Sequence, residues 1–263
     1  MNNLLAEYTA AINQYLEHRF PDSDVLSESM RYSLLSGGKR LRPVLVLEFA
    51  RLCGGDVTAA VPVACAVEML HCYSLIHDDM PFMDNDDTRR GKPANHIVYG
   101  DTVAALAGDC LQAEAFASMC SAPLGEAERL RCCALLAEAA GLNGICGGQR
   151  DDLAGPETAE ALLKTDERKT AALIAGACAM GAAAAGADPE TVAQAKAFGF
   201  ALGMAFQLRD DVLDGDGLCA LYGAETCEAR ILSYTEAALT ALSAFPDSDF
   251  LREYTQNLAV RLT

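Results

Sequence analysis

Residues 170–187 read TAALIAGACAMGAAAAGA, a stretch without a single charge that is built mostly from alanine and glycine. Its length is near that of a bilayer span, but side chains so small and weakly apolar suit a helix packed closely on all sides inside a protein. Burying such a helix takes neighbours that approach it closely, and the composition favours helices for that role. The chain has 47 Ala and 34 Leu against 18 Val plus Ile, a bias toward helix and away from sheet. We read it as all-α. With 263 residues, 51% hydrophobic and 22% charged, it can bury one sizeable core and is not a disordered chain. A formal net charge of −17 excludes a nucleic-acid partner held through general basicity and disfavours an anionic membrane surface.

The eleven cysteines are odd in number and show neither a CxxC pair nor a zinc-ligand spacing. They read as small buried thiols in a reducing, cytoplasmic setting. The opening MNNLLAEYTA has no basic stretch and no long apolar run, so no secretory leader and no membrane span are expected.

Apolar residues recur at helical spacing from Asn3 to Arg19, and Pro21 with Asp22 and Ser23 closes that helix. A second helix is expected from Val25. Ser36-Gly37-Gly38 interrupts it and leads into Lys39-Arg40-Leu41-Arg42-Pro43, after which LVLEFARLC is helical again. The next helix runs from about Thr58 to Asp79 and ends before Pro81, leaving MDNDDTRRGKPANH as a loop. Further helical segments fall near 97–119, 127–146, 158–187 and 190–213. No linker is long enough to demand a second domain.

Two aspartate clusters carry the chemistry: Asp78, Asp79 and Asp84, then Asp210, Asp211 and Asp214. Asp210 and Asp214 lie one helical turn apart and share a face. Six residues is not a whole number of turns, so Asp84 can meet Asp78 only if the helix breaks after Asp79. Each cluster follows strongly apolar sequence, CYSLIH or AFQLR, and so sits at the end of a buried helix. Carboxylates crowded there repel one another unless a cation compensates, and Mg²⁺ commonly joins one or two carboxylates to substrate phosphates. Solvated acidic helix ends are the plainer alternative. Six basic residues gather in two short segments, Lys39, Arg40 and Arg42 and then Arg89, Arg90 and Lys92, in a chain otherwise strongly acidic. Such segments suit anions, phosphate above all. No glycine-rich nucleotide loop accompanies them.

HDDMPFMDNDDTRRGKPANH and FQLRDDVLD, with SGGKRLRP upstream and ERKTAAL between, resemble the motif set of the trans-isoprenyl diphosphate synthases, most nearly the bacterial farnesyl type. The resemblance implies a single-domain, all-α bundle of long helices around a central cavity, spanning 1–263 and found as a homodimer. It implies a prenyltransferase that condenses isopentenyl diphosphate with dimethylallyl or geranyl diphosphate to give farnesyl diphosphate. Asp78, Asp79, Asp84, Asp210, Asp211 and Asp214 would hold Mg²⁺, three ions once substrate is bound. Lys39, Arg42, His71 and Arg90 would hold isopentenyl diphosphate, and Arg89, Lys169, Thr170 and Gln207 would surround the allylic diphosphate and nascent cation. Tyr73, five residues before Asp78 and beside the small Ser74, would stop chain growth near fifteen carbons. A geranylgeranyl product stays open if Tyr73 points elsewhere. Glu68-Met69-Leu70-His71 is also half of a di-iron bundle signature, whose second ExxH the chain lacks.

The chain departs from the family after Asp214. A polar, glycine-rich loop with one or two Gly-Lys pairs is expected there, but Asp214-Gly215-Asp216-Gly217 runs straight into LCALYGAETCEARIL, and no lysine follows Lys196. About twenty residues are missing relative to the family. A loop deleted from the protein would leave a slow enzyme or a regulatory partner subunit, whereas a loop merely omitted from this sequence would leave activity intact. Asp151 and Asp152 in GGQRDDL form a third acidic pair, read as structural.

Overall fold

The computed structural model describes residues 2–21 and 24–259; Asp22 and Ser23, expected to help close the first helix, lie outside the described residues. Before the first acidic cluster run α1 (Asn2–Arg19), α2 (Val25–Leu34), α3 (Leu41–Leu52) and α4 (Val57–Asp78). The middle of the chain forms α5 (Asn95–Tyr99), α6 (Asp101–Cys120), α7 (Glu126–Ala140) and α8 (Ile145–Leu153). There follow α9 (Ala159–Asp166), a π-helical turn Glu167–Ala171, α10 (Ala172–Ala184) and α11 (Pro189–Asp214). The last elements are α12 (Gly217–Tyr222), α13 (Ala224–Ala241) and α14 (Asp249–Ala259).

The alanine- and glycine-rich run becomes α10, in which every residue from Leu173 to Ala184 is buried. α3, α4, α7 and α11 pack around it. Its small residues let the neighbouring backbones close in. A Cβ on Gly181 would stand 2.3 Å from the Val46 carbonyl oxygen of α3, and one on Gly199 of α11 would stand 2.7 Å from the Ala175 Cα. Residues 57–78 and 126–153 are long and apolar enough to cross a membrane by length and composition, but the apolar window of the first is 83% buried inside the bundle.

Four expected segments come out differently. The loop after Pro81 contains a two-stranded ribbon, β1 (Thr88–Arg89) paired with β2 (Lys92–Pro93), so the chain is not wholly helical. Arg90 and Gly91 form its turn with φ of 54° and 74°, the doubly left-handed geometry of a tight hairpin. The segment near 97–119 breaks at Gly100, and that near 127–146 breaks after Gly141. Residues 158–187 split at the π turn, a feature frequent at functional sites because it rotates the side chains that follow.

Candidate active site

α4 ends at the first aspartate cluster. Its last turn is capped at Asp79, and the chain doubles back so that the Asp84 N–H donates to the Asp78 carbonyl at 2.9 Å. Asn85, at φ 56°, completes the turn by donating to the Met80 carbonyl at 3.1 Å. The break after Asp79 therefore does what the six-residue spacing requires. Burial pushes the Asp78 carboxyl up to about 6; the neighbouring charge of Asp84 adds to the rise, while Lys169 and Arg89 oppose it. Asp79 is buried and engaged: Arg89 Nε donates to its Oδ1 at 2.8 Å and Nη2 adds a second contact. Arg89 also reaches Asp86 at 3.2 Å.

The second cluster closes α11. Asp211 is buried, and its carboxylate accepts from Gln207 Nε2 at 2.9 Å and from the Leu218 N–H at 3.1 Å. Gln207 in turn accepts from Thr170 Oγ1 at 2.8 Å. Thr170 of ERKTAAL and Gln207 and Asp211 of FQLRDDVLD, predicted as site residues from these two motifs, thus form one hydrogen-bonded line. Asp210 faces the cationic cleft described below, while Asp214 is exposed at the end of the helix. Lys169, on the π turn, lies near enough to Asp78 to lower its pKa and donates to Asp152 Oδ2 at 2.5 Å. Asp152, read from sequence as structural, holds Lys169 through a link that runs between two elements and leaves no local pattern. Asp151, its neighbour, pairs with Arg168 at 2.7 Å and with Arg150.

A cleft of about 510 Å³ collects the predicted basic residues. Lys39, Arg42, His71 and Arg90 line it together with Gly38, Phe206 and Asp210. Arg42 Nη1 donates to His71 Nε2 at 3.3 Å, and its Nε is buried without a partner among the described residues. Burial lowers the Arg42 pKa to about 10 and, with Arg42 and Arg90 next in importance, holds His71 well below its ordinary value. So many positive charges facing a neutral imidazole suit an anion. Arg90 donates to the Gly37 carbonyl and lies over the glycine turn, whose Gly37 and Gly38 adopt φ of 95° and 124°, a backbone that favours glycine.

Arg40 is the exception among these basic residues. Sequence grouped it with the anion holders, but its Nη1 donates to Glu68 at 2.6 Å, its Nη2 to the Leu34 carbonyl at 2.6 Å and its Nε to Asn13 at 3.1 Å. All its donor groups are engaged inside the protein. The same pair consumes the Glu of the ExxH, while its His71 faces arginines.

Tyr73 is buried, its hydroxyl 3.1 Å from the Cys146 thiol of α8 and its ring edge-on to His77 at 5.4 Å. Ser74 turns back on its own helix, donating to the His71 carbonyl at 2.9 Å.

The donor set of the two clusters is carboxylate oxygen throughout, which suits Mg²⁺. Asp78, half-buried beside a second carboxylate, carries negative charge that a cation would compensate. Among the described residues no three ligating side chains by themselves enclose an ion.

A helical bundle that carries two aspartate clusters at helix ends, with lysine, arginine and histidine around a cleft that Asp210 of the second cluster also lines, has the architecture of the all-α isoprenoid synthases. The fold agrees with that of an FPP/GFPP synthase from Zymomonas mobilis in its apo structure, with a TM-score of 0.92, 34% identity, and coverage of 98% of this chain and 99% of that one. The polyprenyl synthetase family pattern matches residues 23–228, and the chain belongs to that family. It is 44% identical over 223 residues to the farnesyl diphosphate synthase of Bacillus subtilis, covering 82% of this chain and 73% of that protein. Identity to the chloroplastic geranylgeranyl pyrophosphate synthase of Catharanthus roseus is 47% over 195 residues, 72% of this chain and 55% of that protein. The chain therefore spans between about half and three-quarters of the length of these curated relatives.

Proposed function

We propose that this chain is a Mg²⁺-dependent short-chain trans-prenyltransferase that joins isopentenyl diphosphate to dimethylallyl or geranyl diphosphate and releases farnesyl diphosphate. One observation carries the reading: the cleft lined by Lys39, Arg42, His71 and Arg90 also contains Asp210 of the second aspartate cluster, so an anion held by the rim lies beside the acidic end of α11.

Asp78, Asp84, Asp210, Asp211 and Asp214 would hold Mg²⁺, with Asp79 joining them once Arg89 turns from it to the allylic diphosphate. Bound there, the metal would neutralise the departing diphosphate. Lys169 and Arg89 supply positive charge on the same side. Thr170 and Gln207 present hydroxyl and amide dipoles, held in place by Asp211, to the positive charge left on the allylic carbons. Lys39, Arg42 and Arg90 grip isopentenyl diphosphate, and neutral His71 donates without competing for charge. The buried apolar walls exclude water, which would otherwise capture the cation. The C4 alkene carbon of isopentenyl diphosphate then attacks the allylic C1, and a proton leaves to the released diphosphate.

Tyr73 is the residue we assign to the floor, its position held from α8 by Cys146. A geranylgeranyl product is the second reading, favoured by the similarity to the plant synthase. The absence of lysine after Lys196 supports a third, an impaired regulatory member of the family. A homodimer is supported by the exposed apolar residues of the α5–α7 surface, Ile97, Val98, Leu106 and Leu130. A cytoplasmic setting rests on the likeness to bacterial relatives.

The test is incubation with Mg²⁺, geranyl diphosphate and isopentenyl diphosphate, followed by mass spectrometry of the dephosphorylated products. Farnesol that disappears in Asp78→Ala supports the proposal. A twenty-carbon alcohol moves it to the second reading, and no product at all moves it to the impaired subunit.

A further inference from the structure

Cys120 and Cys133 stand with their Sγ atoms 3.9 Å apart where α6 gives way to α7. The eleven cysteines were expected to be small buried thiols, yet Cys120 is exposed and Cys133 only half-buried. The turn SAPLG explains the meeting. Pro123 and Gly125 are poor helix residues, so α6 stops at Cys120 and α7 starts afresh at Glu126, packed against it. Arg129 pins the turn by donating from Nη1 to the Leu124 carbonyl at 2.7 Å and to the Ala122 carbonyl at 3.3 Å. Each helix is anchored to the core beside its cysteine: Ser118 Oγ donates to the Pro62 carbonyl of α4 at 2.9 Å, and Cys132 Sγ to the Met180 carbonyl of α10 at 3.6 Å. Cys132 therefore faces inward while its neighbour Cys133 turns out to Cys120. A disulfide is about 2 Å long, so each sulfur has to move by only about 1 Å, a shift small enough for side-chain rotation.

We propose that Cys120 and Cys133 form a thiol modification site, a dithiol that a small disulfide oxidant such as oxidised glutathione converts into an intrachain disulfide joining α6 to α7. Cys120, the exposed member, attacks first as its thiolate: its sulfur bonds to one glutathione sulfur, the S–S bond of the oxidant breaks, and the other half leaves as reduced glutathione. Cys133 then attacks the Cys120 sulfur, and the second glutathione departs, taking up through water the proton that Cys133 gives off. Two electrons pass from the two cysteines to the oxidant, and both glutathione halves end as thiols. Burial, with Cys120 next in importance, pushes the Cys133 thiol up to about 11, which suits it to the second attack rather than the first. None of the residues lining the cationic cleft lies on α6 or α7, so the bond forms away from the chemistry. Nothing in it depends on the prenyltransferase reading.

The experiment exposes the full chain to oxidised glutathione, alkylates the thiols that remain, and reads tryptic peptides and intact mass before and after dithiothreitol, with thermal melting alongside. The expected product is one chain lighter by two hydrogens, in which the peptides of Cys120 and Cys133 are disulfide-linked. Closing that short loop is expected to raise Tm by roughly 5 °C or more, a gain that dithiothreitol removes. Cys133→Ser is expected to retain glutathione on Cys120, and Cys120→Ser to melt like the reduced parent and to lose the rise on oxidation. Full alkylation of both cysteines after oxidation overturns the inference. So does a bond from either one to another cysteine or to a second chain, glutathione retained on Cys120 of the parent, or a disulfide that leaves Tm no higher.

Discussion

The Tyr73 hydroxyl of α4 and the Cys146 thiol of α8 stand 3.1 Å apart, tying the first acidic helix to the helix that carries the partner of Lys169. The contact fixes an aromatic ring about one and a half turns below Asp78.

Tyr73→Ala is expected to lengthen the product from fifteen to twenty or more carbons, while Tyr73→Phe, which keeps the ring, leaves it unchanged. Product alcohols resolved by mass spectrometry decide. Unchanged length in Tyr73→Ala puts the floor elsewhere. The cavity created is expected to cost about 3 kcal/mol in urea unfolding.

Arg40 and Lys39 are adjacent in sequence and opposite in role. Arg40→Met strands Glu68 as a buried, unpaired carboxylate and is expected to destabilise the chain by about 3–5 kcal/mol, measured by urea titration. Lys39→Ala is expected to leave Tm unchanged and to raise the KM for isopentenyl diphosphate roughly tenfold. A destabilised Lys39→Ala, or an Arg40→Met as stable as the parent, contradicts the assignment.

His71 is kept neutral by burial and by the surrounding arginines. Protonation is thus harder in the folded chain than in the unfolded one, so His71 makes stability fall as pH drops below the unfolded value of about 6.5. Inorganic diphosphate bound among Arg42, Arg90 and Lys39 cancels part of that field, so the His71 pKa is expected to rise on its addition. Imidazole NMR titration with and without diphosphate reads the shift directly; an identical titration in both removes His71 from the anion site.

Mg²⁺ and inorganic diphosphate together are expected to raise Tm more than the sum of their separate effects, because each completes the other's ligands. Binding at a hundred times Kd contributes about 2.7 kcal/mol, several degrees in a chain of this size. EDTA should reverse the gain. Additive shifts mean that the aspartate clusters do not hold a metal shared with diphosphate.

Much of the site was legible because its chemistry is written in short, dense motifs. A helix breaking after Asp79 follows from Pro81 and from the impossibility of pairing residues six apart on one helix. Burial of α10 follows from its lack of charge and its small side chains. What local pattern misses are pairs made across the bundle. Arg40 is indistinguishable from Lys39 and Arg42 in a list of basic residues, yet it is the one turned inward to Glu68. The π turn leaves no hydrophobic period of its own, and the ribbon at Arg90-Gly91 is too short to show alternation.

The sequence by itself determined that helices would surround an uncharged core segment, and that two acidic helix ends and two basic segments would supply the chemistry. Residue type and spacing along one helix are enough for that. Only the tertiary structure decided which charge neutralises which: Arg89 against Asp79, Lys169 against Asp152, and Arg40 against Glu68. Charge pairing depends on distance in space and on exclusion of water, and neither is a property of position along the chain.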